Sequence, residues 1–196
     1  MSIPIEVQQI PTAWRGHESF AMWLVQRLQP QVIVDLGVDS GFSTFSLATP
    51  KIGTVYGVDH FEGDGHAGYR NTYDFVVSIK DLLKNNYGID NIQLIKGDFL
   101  EVSKTWTQPI DILHLDGFHS YDSTKADFLH WLPHLQENGV MLMHDVISFP
   151  SVKQVYDEAN LYRCYFSHSA GLGVLSRNKE IMEEIANLYN LTLENA

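Results

Sequence analysis

Two short stretches set acids beside imidazoles at the ends of apolar runs. Asp116-Gly117-Phe118-His119 follows 110–115 (IDILHL), and His144-Asp145 follows 139–143 (GVMLM). Both runs read as strands, and neighbouring parallel strands lie about 5 Å apart. Acids at two such ends can therefore converge on one ion. Asp116, Asp145 and an imidazole would form an oxygen-rich set suited to Mg²⁺ or Mn²⁺, with water or substrate hydroxyls completing the octahedron. His119, three residues past Asp116, is placed to act as a general base. The competing reading makes His119 and His144 hydrogen-bonded, partly buried structural residues.

Three further strand ends carry an acid or a glycine. The first run, 32–36 (VIVDL), leads into Gly37-Val38-Asp39-Ser40-Gly41-Phe42. A dinucleotide turn of the form G-x-G-x-x-G needs a second glycine facing a pyrophosphate. Counted from Gly37, that position is Asp39 and the third is Phe42, and a carboxylate there repels phosphate. S-adenosylmethionine (SAM) has no phosphate and carries an ammonium and a sulfonium, so acids at this turn are tolerated. The turn is expected to bring Asp35, Gly37, Asp39 and Gly41 to SAM. A tight turn needing glycine for backbone reasons alone is the alternative. Asp59, after 54–58 (TVYGV), is placed to accept from both ribose hydroxyls. Asp98, in Lys96-Gly97-Asp98-Phe99, is placed to accept from the adenine amine. Between Phe61 and Tyr69 runs a polar, glycine-rich stretch that suits a lid, with Asp64, His66 and Tyr69 toward an acceptor. His66, beside Asp64, is a reserve base.

These positions need a scaffold that gathers strand ends. Five short β-branched runs (32–36, 54–58, 92–96, 110–115 and 139–143) suit strands buried on both faces of a parallel sheet. Helical stripes lie between them: Phe20, Trp23, Leu24 and Leu28; Phe75, Ile79, Leu82 and Leu83; and Phe128, Leu132 and Leu135, with Asn138-Gly139 as its C-cap. The alternation predicts an open α/β, doubly wound sheet. The runs 162–166 and 172–176 are too close for a helical crossover and should pair antiparallel. In such a sheet, ligands sit beyond the carboxyl ends of the strands. Trp131 and Cys164 read as core residues.

Composition narrows the partners. The 196 residues are 44% apolar and 19% charged, enough for a core and too little charge for disorder. One domain over 1–196 is expected, including an N-terminal helical segment at 1–30. Against 24 acids stand 13 Lys and Arg, a net charge of −11, which places nucleic acid low among partners. The one cysteine excludes Cys-rich zinc sites. The N-terminus lacks the basic start and apolar core of a signal peptide, and no apolar run reaches the roughly 20 residues that span a bilayer. The expectation is a soluble cytoplasmic protein acting on a small molecule.

With these residues in place, the chain resembles a class I SAM-dependent methyltransferase over nearly its whole length. More narrowly it resembles small bacterial O-methyltransferases related to antibiotic- and sugar-modifying enzymes. The likeness lies in Val34 to Thr44, Val58 to Tyr69, Asp111 to Tyr121, Trp131-Leu132-Pro133 through His144-Asp145, and Gly171 to Leu175. It implies a Rossmann-like, seven-stranded, mostly parallel sheet with a reversed last strand. It also implies Asp116 and Asp145 as ligands of a divalent metal and His119 as base. Val146 stands where many metal-dependent relatives supply a second polar ligand. The implied reaction is methyl transfer to a hydroxyl of a polar acceptor, a sugar or glycosylated metabolite. The rival readings are an NAD(P)-dependent oxidoreductase and a SAM- or sugar-binding module without turnover.

Overall fold

A computed structural model of the chain describes residues 2–65 and 68–195. In chain order the elements are α1 (Ile5–Gln8), α2 (Glu18–Leu28), β1 (Val32–Leu36), α3 (Phe42–Ala48), β2 (Thr54–Asp59), α4 (Tyr73–Tyr87) and β3 (Ile92–Lys96). Then come α5 (Phe99–Thr105), β4 (Ile110–Leu115), α6 (Tyr121–Trp131), β5 (Leu135–His144), α7 (Pro150–Asp157), β6 (Tyr162–Phe166), β7 (Leu172–Ser176) and α8 (Lys179–Tyr189). The seven strands form one sheet in the order β3-β2-β1-β4-β5-β7-β6. Only β7 runs against the rest: it pairs antiparallel with both β5 and β6. The order reverses between β1 and β4, so the ends of these two strands open a crevice between them.

Two apolar layers cover the sheet. Ile33, Phe45, Val55, Ile112, Leu142 and Val174 pack under α2, α3, α4 and α8. Val34, Leu36, Leu113, Met141 and Leu175 pack under α6 and α7. Successive residues of one strand thus serve opposite layers, as the period of two requires. Trp131 and Cys164 are fully buried, as expected for core residues.

Two local expectations are corrected. The helix over 121–131 ends at Trp131 and passes into a single 3₁₀ turn, Leu132–His134, because Pro133 has no N–H to continue the helical ladder. Asn138-Gly139 is therefore not a helix cap; it lies inside β5, beside a register shift between Ile110 and Ile112. On α4 the buried stripe is Val76 with Leu83, whereas Phe75 and Leu82 are exposed. The apolar count on that helix exceeds what one face can bury, and the pattern alone does not say which face turns inward.

Candidate active site

The strand ends hold each other by main-chain hydrogen bonds that continue past the sheet. Gly37 N–H donates to Val58 O (3.1 Å), Asp116 N–H to Leu36 O (2.8 Å) and Gly97 N–H to Asp59 O (2.9 Å). Gly37 has φ 98°, and a Cβ there would lie 2.0 Å from the Asp116 carbonyl oxygen. Only glycine lets β1 and β4 end this close together.

Beyond these ends opens a cavity of about 750 Å³, within the range of small-molecule sites. Its walls include seven aspartates (Asp39, Asp59, Asp64, Asp98, Asp116, Asp127 and Asp145) and the imidazoles of His60, His119 and His144. Among the described residues no lysine or arginine lines it. The N-terminal segment Ile10-Pro11-Thr12-Ala13-Trp14, together with Phe42, supplies an apolar wall that sequence reading did not anticipate. Nothing in that segment marks it; only the tertiary fold brings it to the strand ends.

At one end lie the positions expected to serve the cofactor. Asp59 is nearly buried and accepts from Phe61 N–H (2.7 Å) and Asp39 N–H (2.9 Å), one per carboxylate oxygen. Each oxygen keeps a further acceptor site, and Asp59 lines the cavity. Asp98 caps α5, its Oδ1 accepting from Leu100 N–H and Glu101 N–H, and it also lines the cavity, as do Phe99 and Gly117. Asp127 on α6 comes beside it. Burial, with the Asp98 charge nearby, pushes the Asp127 carboxyl up to about 7.

Two expected positions do not face this cavity. Asp35 shares its side of β1 with Ile33, so strand alternation buries it beneath α3. There it accepts from Ser43 Oγ (2.9 Å), Thr44 Oγ1 (2.5 Å) and His114 Nδ1 (2.6 Å). His114 Nε2 in turn accepts from the Trp14 indole N–H (3.1 Å), which fixes the tautomer and docks the N-terminal wall onto the sheet. Asp35→Ala would strand three buried donors, and we expect it to cost about 3–5 kcal/mol of unfolding free energy, read by urea denaturation. Gly41 (φ 95°) precedes α3, and a Cβ there would strike the Phe45 ring at 2.4 Å. Its glycine serves the backbone.

Asp39 lines the cavity but is not a free anion. Arg70 Nη2 donates to both its oxygens (2.7 and 2.9 Å), tying the first turn to the segment after Gly68. The repulsion expected from Asp39 alone is thus neutralised, and the anionic character of the cavity rests on the other aspartates. Asp64 also lines it; His66 lies outside the described residues. The base of the 61–72 segment is closed by Arg70 N–H to Glu62 O and Thr72 N–H to Phe61 O.

At the other end two acids and two imidazoles alternate. His119 Nε2 lies 2.6 Å from Asp145 Oδ2 and 3.9 Å from Asp116 Oδ1. His144 Nδ1 is 3.3 Å from Asp116 Oδ1 and 3.3 Å from Asp145 Oδ2. The His119 ring stacks flat on Phe149, with centroids 4.1 Å apart. Asp145 adopts φ 66°, a left-handed turn that aims its carboxylate back at the two imidazoles. Burial alone would lower the pKa of both histidines and raise that of both acids, but the opposite charges win. His119 rises to about 9 and His144 to about 10, while both carboxylates fall below their ordinary range.

Asp116, His144 and Asp145 can each turn one ligand atom toward a common point, with these atoms within 4.8 Å of one another. Two carboxylates and an imidazole fit Mg²⁺ or Mn²⁺. The sequence had marked Asp116 and Asp145 and left the imidazole open; the fold brings His144 to the shared position and sets His119 against Asp145.

A crevice at the switch point of a 3-2-1-4-5-7-6 sheet, anionic and glycine-turned, defines the architecture shared by methyltransferases. A methyltransferase-domain family matches residues 34–146, and the chain belongs to it. The uncharacterized protein y4gI of Sinorhizobium fredii is 35% identical over 188 residues, covering 90% of this chain. The chain spans 20% of that relative's length. Among solved structures, a methyltransferase from Geobacter sulfurreducens superposes with a TM-score of 0.64 at 18% identity, covering 87% of this chain and 84% of that one. The O-methyltransferase TomG from Streptomyces achromogenes, solved in complex with SAM, gives 0.67 at 13% identity, with 89% and 90% covered. An O-methyltransferase from Bacillus cereus in complex with S-adenosylhomocysteine gives 0.62 at 15% identity, with 89% and 84% covered. These likenesses bear out the Rossmann-like fold.

Proposed function

We propose that residues 1–196 work as one SAM-dependent O-methyltransferase domain. In this reading it methylates a hydroxyl of a small polar acceptor, a sugar or glycosylated metabolite, in the cytoplasm. The observation that carries this reading is a cavity walled by seven aspartates and no described lysine or arginine, ending in a square of acids and imidazoles. Such walls favour a cationic ligand and oppose the paired phosphates of a dinucleotide. The net charge of −11 opposes nucleic acid in the same way. No helix of the described residues is long and apolar enough to cross a membrane.

SAM, once bound, supplies a methyl group on a sulfonium. Asp59 would hold the ribose hydroxyls through its remaining acceptor sites, and Asp98 would accept from the adenine amine beside Phe99 and Phe118. Gly37 and Asp39 line the amino-acid end. Ile10, Pro11, Trp14 and Phe42 meet the C–H face of a sugar ring and exclude water. A divalent ion held by Asp116, Asp145 and His144 would act as a Lewis acid on the acceptor oxygen. His119 takes the hydroxyl proton, and Asp145, whose Oδ2 lies 2.6 Å from Nε2, steadies the imidazolium that results. His66 is the reserve base on the lid segment.

Label transfer from methyl-tritiated SAM to a panel of free sugars and glycosides tests the reading. Label is expected in a sugar hydroxyl, and methylation confined to flat hydrophobic phenols would contradict the acceptor class. Within the panel, a phosphorylated sugar should show kcat/KM at least about tenfold below its unphosphorylated parent, because the aspartate-lined cavity has no described lysine or arginine to meet the phosphate. Equal rates would count against an anionic acceptor end.

A further inference from the structure

We propose that His17 and the main-chain carbonyl of Ser169 are positioning elements that fix the tautomer of His144, leaving its Nδ1 lone pair aimed between Asp116 and Asp145. The inference rests on the divalent site proposed above and adds what makes His144 a ligand there. His144 Nε2 lies 3.0 Å from Ser169 O, so this nitrogen carries hydrogen and donates. A neutral imidazole has a single N–H; spending it at Nε2 leaves Nδ1 as an acceptor. That nitrogen stands 3.3 Å from each carboxylate.

Ser169 O receives a second donor, His17 Nε2 at 3.3 Å, so both carbonyl lone pairs are engaged. His17 is fully buried, and its ring packs edge-on to that of His144 with centroids 5.8 Å apart. Its Nδ1 finds no hydrogen-bond partner among the described residues. A buried, half-satisfied imidazole is costly to keep for packing alone, since phenylalanine would fill the same space.

The turn that presents this carbonyl is itself under constraint. Ser169, Ala170 and Gly171 have φ of 49°, 68° and 90°, three left-handed residues in succession. Such a turn persists only where its surroundings over-determine it. Here Ile147 N–H and Ser148 N–H both donate to Ala170 O, and Ser169 Oγ donates to Arg15 O. The turn thus joins the N-terminal wall to the loop after Asp145, and its carbonyl points at His144. A carbonyl fixed on the far nitrogen is the usual outer-shell support of a metal-binding histidine, and losing such support typically lowers metal affinity 10–100-fold.

Titration of the full chain with Mn²⁺, followed by the paramagnetic resonance of the free ion, tests this. His17→Phe keeps the ring and removes the donor; its Mn²⁺ dissociation constant should rise about tenfold. His17→Gln, whose amide nitrogen reaches the place of Nε2, should stay within about threefold of wild type. SAM affinity should be unchanged in both, which a general loss of structure would not allow. In the wild-type protein loaded with Mg²⁺, long-range ¹H–¹⁵N spectra should show His144 protonated at Nε2 and bare at Nδ1. The spectrum holds even if His17→Phe does not fold; the reversed tautomer overturns the proposal. A His17→Phe protein that binds Mn²⁺ like wild type overturns the positioning role and leaves the divalent site standing. A wild-type protein that binds no Mn²⁺ overturns the site and this inference together.

Discussion

Replacing His119 by alanine is expected to lower kcat by roughly 10²–10⁴ while leaving the SAM dissociation constant within about twofold. His119 faces the acceptor end, stacked on Phe149 and bonded to Asp145, and touches none of the positions that serve the cofactor. A sugar hydroxyl is a weak acid, so orientation against the sulfonium supplies only part of the acceleration. The rest requires a proton acceptor within reach. Single-turnover rates and SAM titration, measured on the same preparation, separate the two effects. Normal turnover by His119→Ala would move the proton to another group, with His66 the first to examine.

Removal of divalent metal is the second large effect, and it carries a pH signature. Without a cation, the two carboxylates hold His119 near pKa 9 and His144 near 10, so both are protonated at neutral pH. A protonated His119 cannot act as base, and a protonated His144 offers no lone pair at Nδ1. A cation bound by Asp116, Asp145 and His144 must expel at least one proton, so its affinity should rise about tenfold per pH unit between 7 and 9. The cation also offsets the two negative charges that raise His119, which returns the base to service. Chelated protein should therefore lose most activity at pH 7 and regain part of it near pH 9–10. Full activity after chelation at pH 7 would leave His119 without its expected partner. Stability has the opposite sign. The raised histidines contribute fully below pH 6.5, and that contribution is lost as pH climbs through 9–10, so the metal-free protein should melt at lower temperature there.

Sequence pattern made the sheet legible because the parallel strands and a short reversed hairpin each leave apolar, β-branched runs with sharp edges, although β3, at the sheet edge, buries only Ile92 fully and not both faces as its run suggests. Strand-end acids were legible for the same reason: Asp59, Asp98, Asp116 and Asp145 all face the cavity where those runs stop. Asp35 was misread because its place one residue inside β1 turns it to the layer beneath α3, a parity the motif does not display. Asp39 was read as a bare anion because Arg70, 31 residues away, is invisible to a local window. Neither the wall at Ile10–Trp14 nor the His17–Ser169–His144 link has a periodic or motif signature; each exists only once the chain ends are folded against the sheet.

Cofactor identity is the claim on which the rest depends, and calorimetric titration of the metal-loaded protein with SAM, S-adenosylhomocysteine, NAD and NADP tests it most directly. SAM and S-adenosylhomocysteine should bind at a single site, and Asp59→Asn should weaken both by about tenfold, 1.4 kcal/mol, through loss of the charged acceptor for the ribose hydroxyls. Neither dinucleotide should bind, because the aspartates of the cavity repel a pyrophosphate and no described lysine or arginine lines it to compensate. Tight binding of NAD or NADP with no response to SAM would contradict the account.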